Sequence, residues 1–224
     1  MAASVYERIV RARQLLVQAG VKAEDAALDA EVLARHVLGW DRAALVSRWR
    51  EPATGDFSED LARVIARRAA REPVAYITGR REFWGLDFEV TPDVLIPRPE
   101  TELIVEEALT YAAEVRAPAE IIDVGTGSGC IAIALAHEFP TATVTGTDTS
   151  PAALSVARRN AERLDVADRM VFVHCHLLET ATPGADLIVS NPPYVPSGDS
   201  LDLQPEVGLH EPAPALFGGP DGLD

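Results

Sequence analysis

Between residues 120 and 190, short apolar segments alternate with longer helical segments, and this alternation constrains the fold more than any other feature. Segments 121–124, 142–147, 170–175 and 186–189 predict strands, and segments 130–137 and 151–164 predict helices. Strands connected through helices lie parallel, because each helix returns the chain to the same end of the sheet. The pattern therefore predicts an α/β fold with a doubly wound, Rossmann-like parallel sheet.

A glycine-rich loop follows the first of these strands and leads directly into a helix. Its glycines, Gly125, Gly127 and Gly129, permit a tight turn and let a ligand come close to the backbone. The dinucleotide-binding fingerprint requires glycine at the position of Cys130, and the loop lacks the lysine of a phosphate-binding loop. The loop therefore predicts a bound ligand without identifying it.

The second predicted strand ends close to Asp148, nineteen residues after Gly129. A carboxylate one βαβ unit beyond a glycine loop can accept hydrogen bonds from both hydroxyls of a ribose. Because Thr149, Ser150 and Pro151 follow, a role for Asp148 at the start of the next helix is the alternative. The glycine loop upstream favours ribose binding.

The last predicted strand, which includes the apolar run 187–189, is expected to be buried. It is followed by Asn191, Pro192, Pro193 and Tyr194, and the prolines end the strand because they cannot donate to a sheet ladder. An amide and an aromatic ring are thereby placed at the carboxyl end of a parallel strand, where open sheets bind ligands. The alternative is a strand-ending turn with a buried tyrosine.

The first 75 residues predict a small helical bundle. Amphipathic segments at 4–19, 24–38, 41–49 and 58–70 predict its helices, with Ser58 as the N-cap of the last one.

An aromatic segment, 81–90, predicts a β-hairpin with a tight turn near Gly85. Phe83, Trp84 and Phe88 are expected in its core, and a platform for a ligand is the alternative. Beyond the hairpin, Arg98 is held between Pro97 and Pro99, ahead of a helix expected from near Pro99 to about Val115. This rigid setting favours a functional role for Arg98. The expected domains are a helical domain at 1–75, a hairpin linker at 76–98 and an α/β domain at 99–224.

The net charge of −15 lies entirely in the second part of the chain. Residues 1–90 contain 14 Lys/Arg and 14 Asp/Glu, whereas residues 91–224 contain 6 Lys/Arg and 21 Asp/Glu. Phosphate contacts supply much of the affinity for nucleic acid, so this charge disfavours a nucleic-acid substrate. It is equally compatible with a solubility surface and with a preference for a basic partner.

Other sequence features bear on metal binding, membrane insertion, cellular location and the state of the two cysteines. The five histidines show no metal-binding spacing, and no segment has the roughly 18–20 apolar residues of a membrane span. The N-terminal residues carry charges throughout and lack a signal core, so we expect a cytoplasmic protein. Cys130 and Cys175 lie in apolar segments and are expected to be reduced and buried.

With these motifs, the chain resembles the class I S-adenosylmethionine-dependent methyltransferases and, more closely, the release-factor glutamine methyltransferase family (HemK/PrmC). The resemblance spans nearly the whole chain. It rests on the helical N-terminal domain and on four segments, Arg-Glu-Phe-Trp at 81–84, Leu-Ile-Pro-Arg-Pro-Glu-Thr-Glu at 95–102, Asp-Val-Gly-Thr-Gly-Ser-Gly at 123–129 and Asn-Pro-Pro-Tyr at 191–194. His176 stands where the family often has an acidic residue. The family also has further strands after those counted above, so we expect this chain to be C-terminally truncated.

The resemblance implies methylation of the side-chain amide of the glutamine in the Gly-Gly-Gln motif of class 1 peptide-chain release factors. It also implies that S-adenosylmethionine is the cofactor. The implied cofactor-binding residues are Gly125, Thr126, Gly127, Ser128, Gly129, Asp148, Leu177 and Asn191. The implied substrate-binding residues are Asn191, Pro192, Pro193, Tyr194 and Arg98, of which Asn191, Pro192 and Tyr194 are assigned to catalysis.

These residues suit methylation of an amide nitrogen, whose lone pair is delocalised into the carbonyl. The side-chain oxygen of Asn191 and the backbone carbonyl of Pro192 can accept the amide hydrogens, and Tyr194 can pack on the amide plane. No charged general base and no metal are required. Two alternatives are a nucleic-acid amino-group methyltransferase, which shares the Asn-Pro-Pro-Tyr motif for adenine N6 or guanine N2, and an inactive cofactor-binding fragment that docks a partner.

Overall fold

The computed structural model describes residues 3–179, 184–201 and 203–224, and the chain divides into two compact units, Met1–Thr78 and Gly79–Asp224. The predicted hairpin segment lies within the second unit. Every motif of the predicted cofactor and substrate site also lies within this unit, so the site is built from one compact part of the chain.

The first unit is helical. Its helices are α1 (Val5–Gln18), α2 (Ala23–Leu38), α3 (Arg42–Arg48), α4 (Gly55–Ala69) and α5 (Val74–Thr78). Their apolar faces meet in one core that includes Leu16, Leu33 and Leu61. Residue Ser58 is not the N-cap of α4, because the helix begins three residues earlier and Thr54 accepts the capping hydrogen bond from the backbone N–H of Phe57 at 3.3 Å. This start allows α4 to bury Phe57.

The second unit begins with a hairpin of β1 (Arg80–Phe83) and β2 (Leu86–Glu89), which pair antiparallel. Trp84 and Gly85 form the turn with φ angles of 53° and 70°, as in the tight turns that match the twist of a hairpin. Phe83 and Phe88 are fully buried, and Trp84 packs half-buried against the same core. The predicted hairpin, its turn and its aromatic core are present in the structure.

The central sheet contains β3 (Glu120–Val124), β4 (Thr143–Asp148), β5 (Met170–His174) and β6 (Leu187–Ser190), all parallel, in the order β5-β4-β3-β6. The helices connected to them are α6 (Glu102–Glu114), α7 (Cys130–Glu138) and α8 (Pro151–Arg163). The predicted parallel α/β sheet is confirmed. The predicted burial of the whole 187–189 run is wrong, because β6 is the outermost of these four strands and leaves Ile188 52% exposed.

The chain after Tyr194 contains more regular structure than its proline and glycine content predicts. It forms a short helix, α9 (Pro205–His210), and single helical turns at Ser197–Leu201 and Ala213–Ala215. Pro205 and Pro214 lie in first turns, where proline's missing N–H costs no hydrogen bond. Val195 forms a parallel bridge with Phe217, which returns the segment to the end of β6.

Asn160 joins three elements of the second unit, and its side chain is completely buried. Its Oδ1 accepts from the backbone N–H of Glu89 at 2.7 Å. Its Nδ2 donates to the backbone carbonyls of Glu89 at 3.0 Å and of Ser128 at 2.9 Å. One side chain on α8 therefore connects the hairpin to the glycine loop.

Asn160→Ala should lower the free energy of unfolding by about 3 kcal/mol, because one buried and two partly buried backbone groups lose this partner. Urea denaturation measures the change. The matched control is Arg159→Ala on the same helix, which breaks an exposed pair with Glu89 and should cost less than about 1 kcal/mol. Equal effects of the two substitutions would contradict the role given to Asn160.

Candidate functional site at the carboxyl ends of the parallel strands

The register of the sheet brings the sequence-predicted residues to one edge. Val124 pairs with Thr147 on one side and with Ser190 on the other. The next residue of each flanking strand, Asp148 and Asn191, therefore lies beside the start of the glycine loop. With neighbouring strands about 4.8 Å apart, these two positions are separated by roughly 10 Å across the sheet.

The three glycines of the loop serve different purposes, although all have positive φ angles. A side chain at Gly129 would lie 3.1 Å from Ile133 Cδ1 and 3.2 Å from Ala157 Cβ, so this glycine lets α7 and α8 approach each other. A Cβ atom at Gly125 or Gly127 would meet no atom within 4 Å, so both glycines face open space. They leave the backbone accessible to a ligand.

Asp148 is held rigidly beside this loop. Its Oδ2 accepts from the backbone N–H of Gly127 and its Oδ1 from that of Ser150, both at 2.9 Å. Ser150, and not Asp148, is the N-cap of α8, because its hydroxyl oxygen accepts from the N–H of Ala153 at 3.2 Å. Each Asp148 oxygen keeps acceptor capacity beyond its one backbone bond, which suits a vicinal diol.

A second carboxylate, Asp123, lies completely buried beneath the loop and accepts from the hydroxyl of Thr126 at 2.7 Å. Desolvation by burial raises the pKa of Asp123 to about 6, the hydrogen bond from Thr126 acts to lower it, and the negative charge of Asp148 acts to raise it. The folded protein therefore retains the Asp123 proton over a range in which the unfolded chain has lost it.

The contribution of Asp123 to the stability of the chain should consequently fall as the pH rises from about 4 to about 6, because at this group the folded state binds more protons than the unfolded chain. Asp123→Asn removes this titration and keeps an acceptor for Thr126. The stability difference between variant and parent should therefore grow in favour of the variant across this window, by an amount on the order of 3 kcal/mol. Denaturation midpoints at several pH values measure it, and a difference independent of pH would contradict the assignment.

A cleft of about 390 Å³ opens over these strand ends. Most of the residues predicted for the site line this cleft: residues 125–128 of the glycine loop, Arg98, Asp148, Leu177 and the Asn-Pro-Pro stretch 191–193. Gly129, the last residue of the loop, lies behind it between the helices. Tyr194 does not line the cleft, and its side chain is 69% exposed. In the described part of the chain, no group of three or more potential metal ligands is present, and no helix is long and apolar enough to span a bilayer.

Leu177 and its neighbours form the side of the cleft beyond β5. Leu177 has a φ of 48°, which is rare for a branched residue, and its carbonyl oxygen accepts from the Thr147 hydroxyl at 3.1 Å. Its side chain is 59% exposed and lines the cleft together with His176 and Cys175. Cys130 and Cys175 are free and buried, as the sequence predicts.

Arg98 is engaged by a residue that the sequence did not indicate. Its Nη2 donates to Glu211 Oε1 at 2.5 Å, and Glu211 Oε2 accepts from the backbone N–H of Ile96 at 3.1 Å. The Glu211 side chain is 1% exposed. Arg98 thus ties the proline-rich 96–99 segment to the chain after α9, and both segments form walls of the cleft.

Two protein-family models match this chain, one over the helical unit and one over much of the second unit. The family model described as the PrmC N-terminal domain matches residues 7–79, and the one described as the methyltransferase small domain matches residues 101–205. A release factor glutamine methyltransferase of Geobacter sulfurreducens is 48% identical over 95% of this chain and 72% of its own length. The chain belongs to the release factor glutamine methyltransferase family. Relatives of the same name from Bradyrhizobium diazoefficiens and Koribacter versatilis are 46% and 48% identical, over 90% and 88% of this chain and 68% and 70% of their own lengths.

Family membership confirms the resemblance predicted from the motifs. The individual roles of the site residues stay predictions, and the geometry supplies two candidates that motif spacing did not indicate, Thr101 and Glu211. Thr101 is buried and its hydroxyl oxygen accepts from Asn191 Nδ2 at 3.3 Å, across 90 residues of chain. Thr101 belongs to the 95–102 motif, but nothing local to it or to Glu211 indicates its partner, because each contact joins segments that are distant in sequence.

Proposed function

We propose that this chain transfers a methyl group from S-adenosylmethionine to the side-chain amide nitrogen of the glutamine in the Gly-Gly-Gln motif of class 1 peptide-chain release factors. The observation that carries the proposal is the identity of 46–48% to proteins named release factor glutamine methyltransferase over at least 88% of the chain. Its site of action is then the cytoplasm, where translation ends. The helical domain supplies contacts to the release factor away from the glutamine.

The residues at the strand ends fit the cofactor. Asp148 offers two fixed carboxylate oxygens for ribose hydroxyls, and Gly125 and Gly127 leave open backbone beside them. Leu177 offers an exposed apolar surface on the same side for a planar base. When bound, S-adenosylmethionine would supply a methyl group on a positively charged sulfur, with a neutral thioether as its leaving group, and the nitrogen that accepts the methyl group would release one proton to water.

The part of the chain at 191–194 orients the amide. Asn191 Oδ1 and the Pro192 carbonyl accept its two hydrogens, which aims the nitrogen lone pair out of conjugation with the carbonyl. Proline has no N–H, so the segment presents acceptors without a competing donor. The exposed ring of Tyr194 is available to cover the amide plane once the substrate is present.

A nucleic-acid substrate is the second candidate, because the Asn-Pro-Pro-Tyr motif also suits amino groups of bases. The charge of the second unit opposes it. Residues 79–224 contain 8 Lys/Arg and 24 Asp/Glu, a net charge of −16, whereas residues 1–78 contain 12 and 11, a net charge of +1. Phosphate would be repelled by the unit that contains the cleft.

The proposal is tested by incubating the purified chain with methyl-labelled S-adenosylmethionine and, separately, a release factor, the same factor with its Gly-Gly-Gln glutamine replaced by alanine, duplex DNA and RNA. Label should enter the intact factor alone. Label in nucleic acid with none in the factor would favour the amino-group methyltransferase. Binding of the factor without transfer would favour a docking role.

A further inference from the structure

Thr101 lies at the start of α6 and has the residue type that normally caps a helix, yet its side chain makes no capping hydrogen bond. Its backbone N–H donates to the carbonyl of Arg98 at 3.0 Å, within the helical turn Pro99–Thr101. The residue is 8% exposed and lines the cleft. The hydroxyl is therefore available for a contact across the cleft wall.

That contact is with the side-chain amide of Asn191. Asn191 Nδ2 donates to Thr101 Oγ1 at 3.3 Å, and among the described residues no other hydrogen bond to the Asn191 side chain is made. An amide side chain has a donor end and an acceptor end of nearly the same shape. With its donor end turned to Thr101, Asn191 presents its oxygen in the opposite direction.

The orientation decides whether Asn191 can bind an amide nitrogen. In the observed orientation, its oxygen can accept a hydrogen from the substrate NH₂ group. In the reversed orientation, two NH₂ groups would face each other, and neither could accept. In the observed orientation the hydroxyl of Thr101, which can accept as well as donate, supplies the acceptor that the Nδ2 end of Asn191 needs.

We infer that Thr101 is a positioning residue: by accepting from Nδ2 it stabilises the orientation of the Asn191 amide in which Oδ1 accepts the hydrogen of the nitrogen to be methylated. This inference rests on the proposed function. The backbone of Thr101 is well anchored, because the turn that carries it follows Arg98, whose side chain is bound by the buried Glu211. The hydroxyl acts through Asn191 and need not touch the substrate.

Thr101→Val tests the inference, because valine keeps the β-branched shape and removes the hydroxyl. The Asn191 NH₂ group then loses its acceptor and turns toward the cleft. We expect kcat for release-factor methylation to fall about tenfold, the scale of one hydrogen bond, with little change in KM for the factor. Calorimetry should give an unchanged dissociation constant for S-adenosylmethionine, and the melting temperature should stay within about 2 °C of the parent.

Thr101→Ser is the matched variant, since it restores the hydroxyl while removing the methyl group. It should recover most of the turnover lost in Thr101→Val. A Thr101→Val enzyme with parental kcat, or a serine variant as impaired as the valine variant, would overturn the inference. Both results require a parent chain that methylates the factor, so they are distinct from failure of the proposed function, in which the parent itself transfers no methyl group.

A further control uses Asn191→Asp, whose two side-chain oxygens are equivalent and leave no orientation to fix. Adding Thr101→Val to Asn191→Asp should change kcat by less than about threefold, because the two substitutions then remove the same interaction. A full tenfold loss in the double variant would show that Thr101 acts independently of Asn191 and would overturn the inference.

Discussion

Asn191→Ala should reduce kcat for methyl transfer by about 10²–10³-fold, the loss seen when one preorganised hydrogen-bonding group is removed from an active site. The substitution removes the acceptor that aims the amide nitrogen, and the neighbouring Pro192 carbonyl cannot replace it because the backbone geometry after β6 is fixed by two prolines. Initial rates at saturating release factor and S-adenosylmethionine measure the effect. The affinity for S-adenosylmethionine should change less than about threefold, because in the proposed role Asn191 borders the cofactor and acts on the substrate amide.

Asn191→Asp provides the matched comparison. It retains an acceptor at the same position but adds a negative charge to a unit that already carries −16. Because the acceptor is retained, the loss of kcat in Asn191→Asp should be smaller than that in the alanine variant. Turnover by Asn191→Ala at more than about a tenth of the parental rate would contradict the role of this side chain.

The second large effect is expected on cofactor affinity. Asp148→Ala removes the carboxylate proposed to bind the ribose and also frees the N–H groups of Gly127 and Ser150, each bound at 2.9 Å. Hydrogen bonds to charged groups contribute about 1.5–3 kcal/mol each, so the dissociation constant for S-adenosylmethionine should rise at least about 100-fold. Isothermal titration calorimetry with the 224-residue chain measures it directly.

Two companion variants separate ribose binding from loop geometry. Asp148→Asn keeps an acceptor for Gly127 and removes the charge, so its affinity should lie between those of the parent and the alanine variant. Asp168→Ala removes an exposed carboxylate that does not line the cleft and should leave affinity unchanged. Binding by Asp148→Ala within about threefold of the parent would exclude the proposed ribose contact.

The fold was largely predictable because its signals are local. The parallel strands lie within about one residue of their predicted bounds, since each apolar run ends at glycine, proline or a polar residue. The start of α4 was misplaced because Thr54 and Ser58 are both good N-caps, and burial of Phe57, which pattern alone does not assign to the helix, selects the earlier one. Exposure of Ile188 depends on strand order, which composition does not contain.

The site was predictable where a topological rule applied. Asp148 and Asn191 meet at one edge because parallel strands end on the same side of a sheet. Asn160, Thr101 and Glu211 were missed, since their partners lie 71, 90 and 113 residues away and nothing near them in sequence marks the contact. Arg98 was singled out for its rigid setting, but its buried acidic partner appears only in three dimensions.

The pairing of Arg98 with Glu211 also bears on the order in which the sheet and the cleft wall can form during translation. All four strands of the parallel sheet are complete by residue 190, whereas the acidic partner of Arg98 emerges 113 residues after it. At translation rates of about 5–20 residues per second, Glu211 is synthesised roughly 6–23 seconds after Arg98. A nascent chain therefore passes through a stage in which the four parallel strands can pair while the part of the cleft wall that Glu211 anchors has not yet been synthesised.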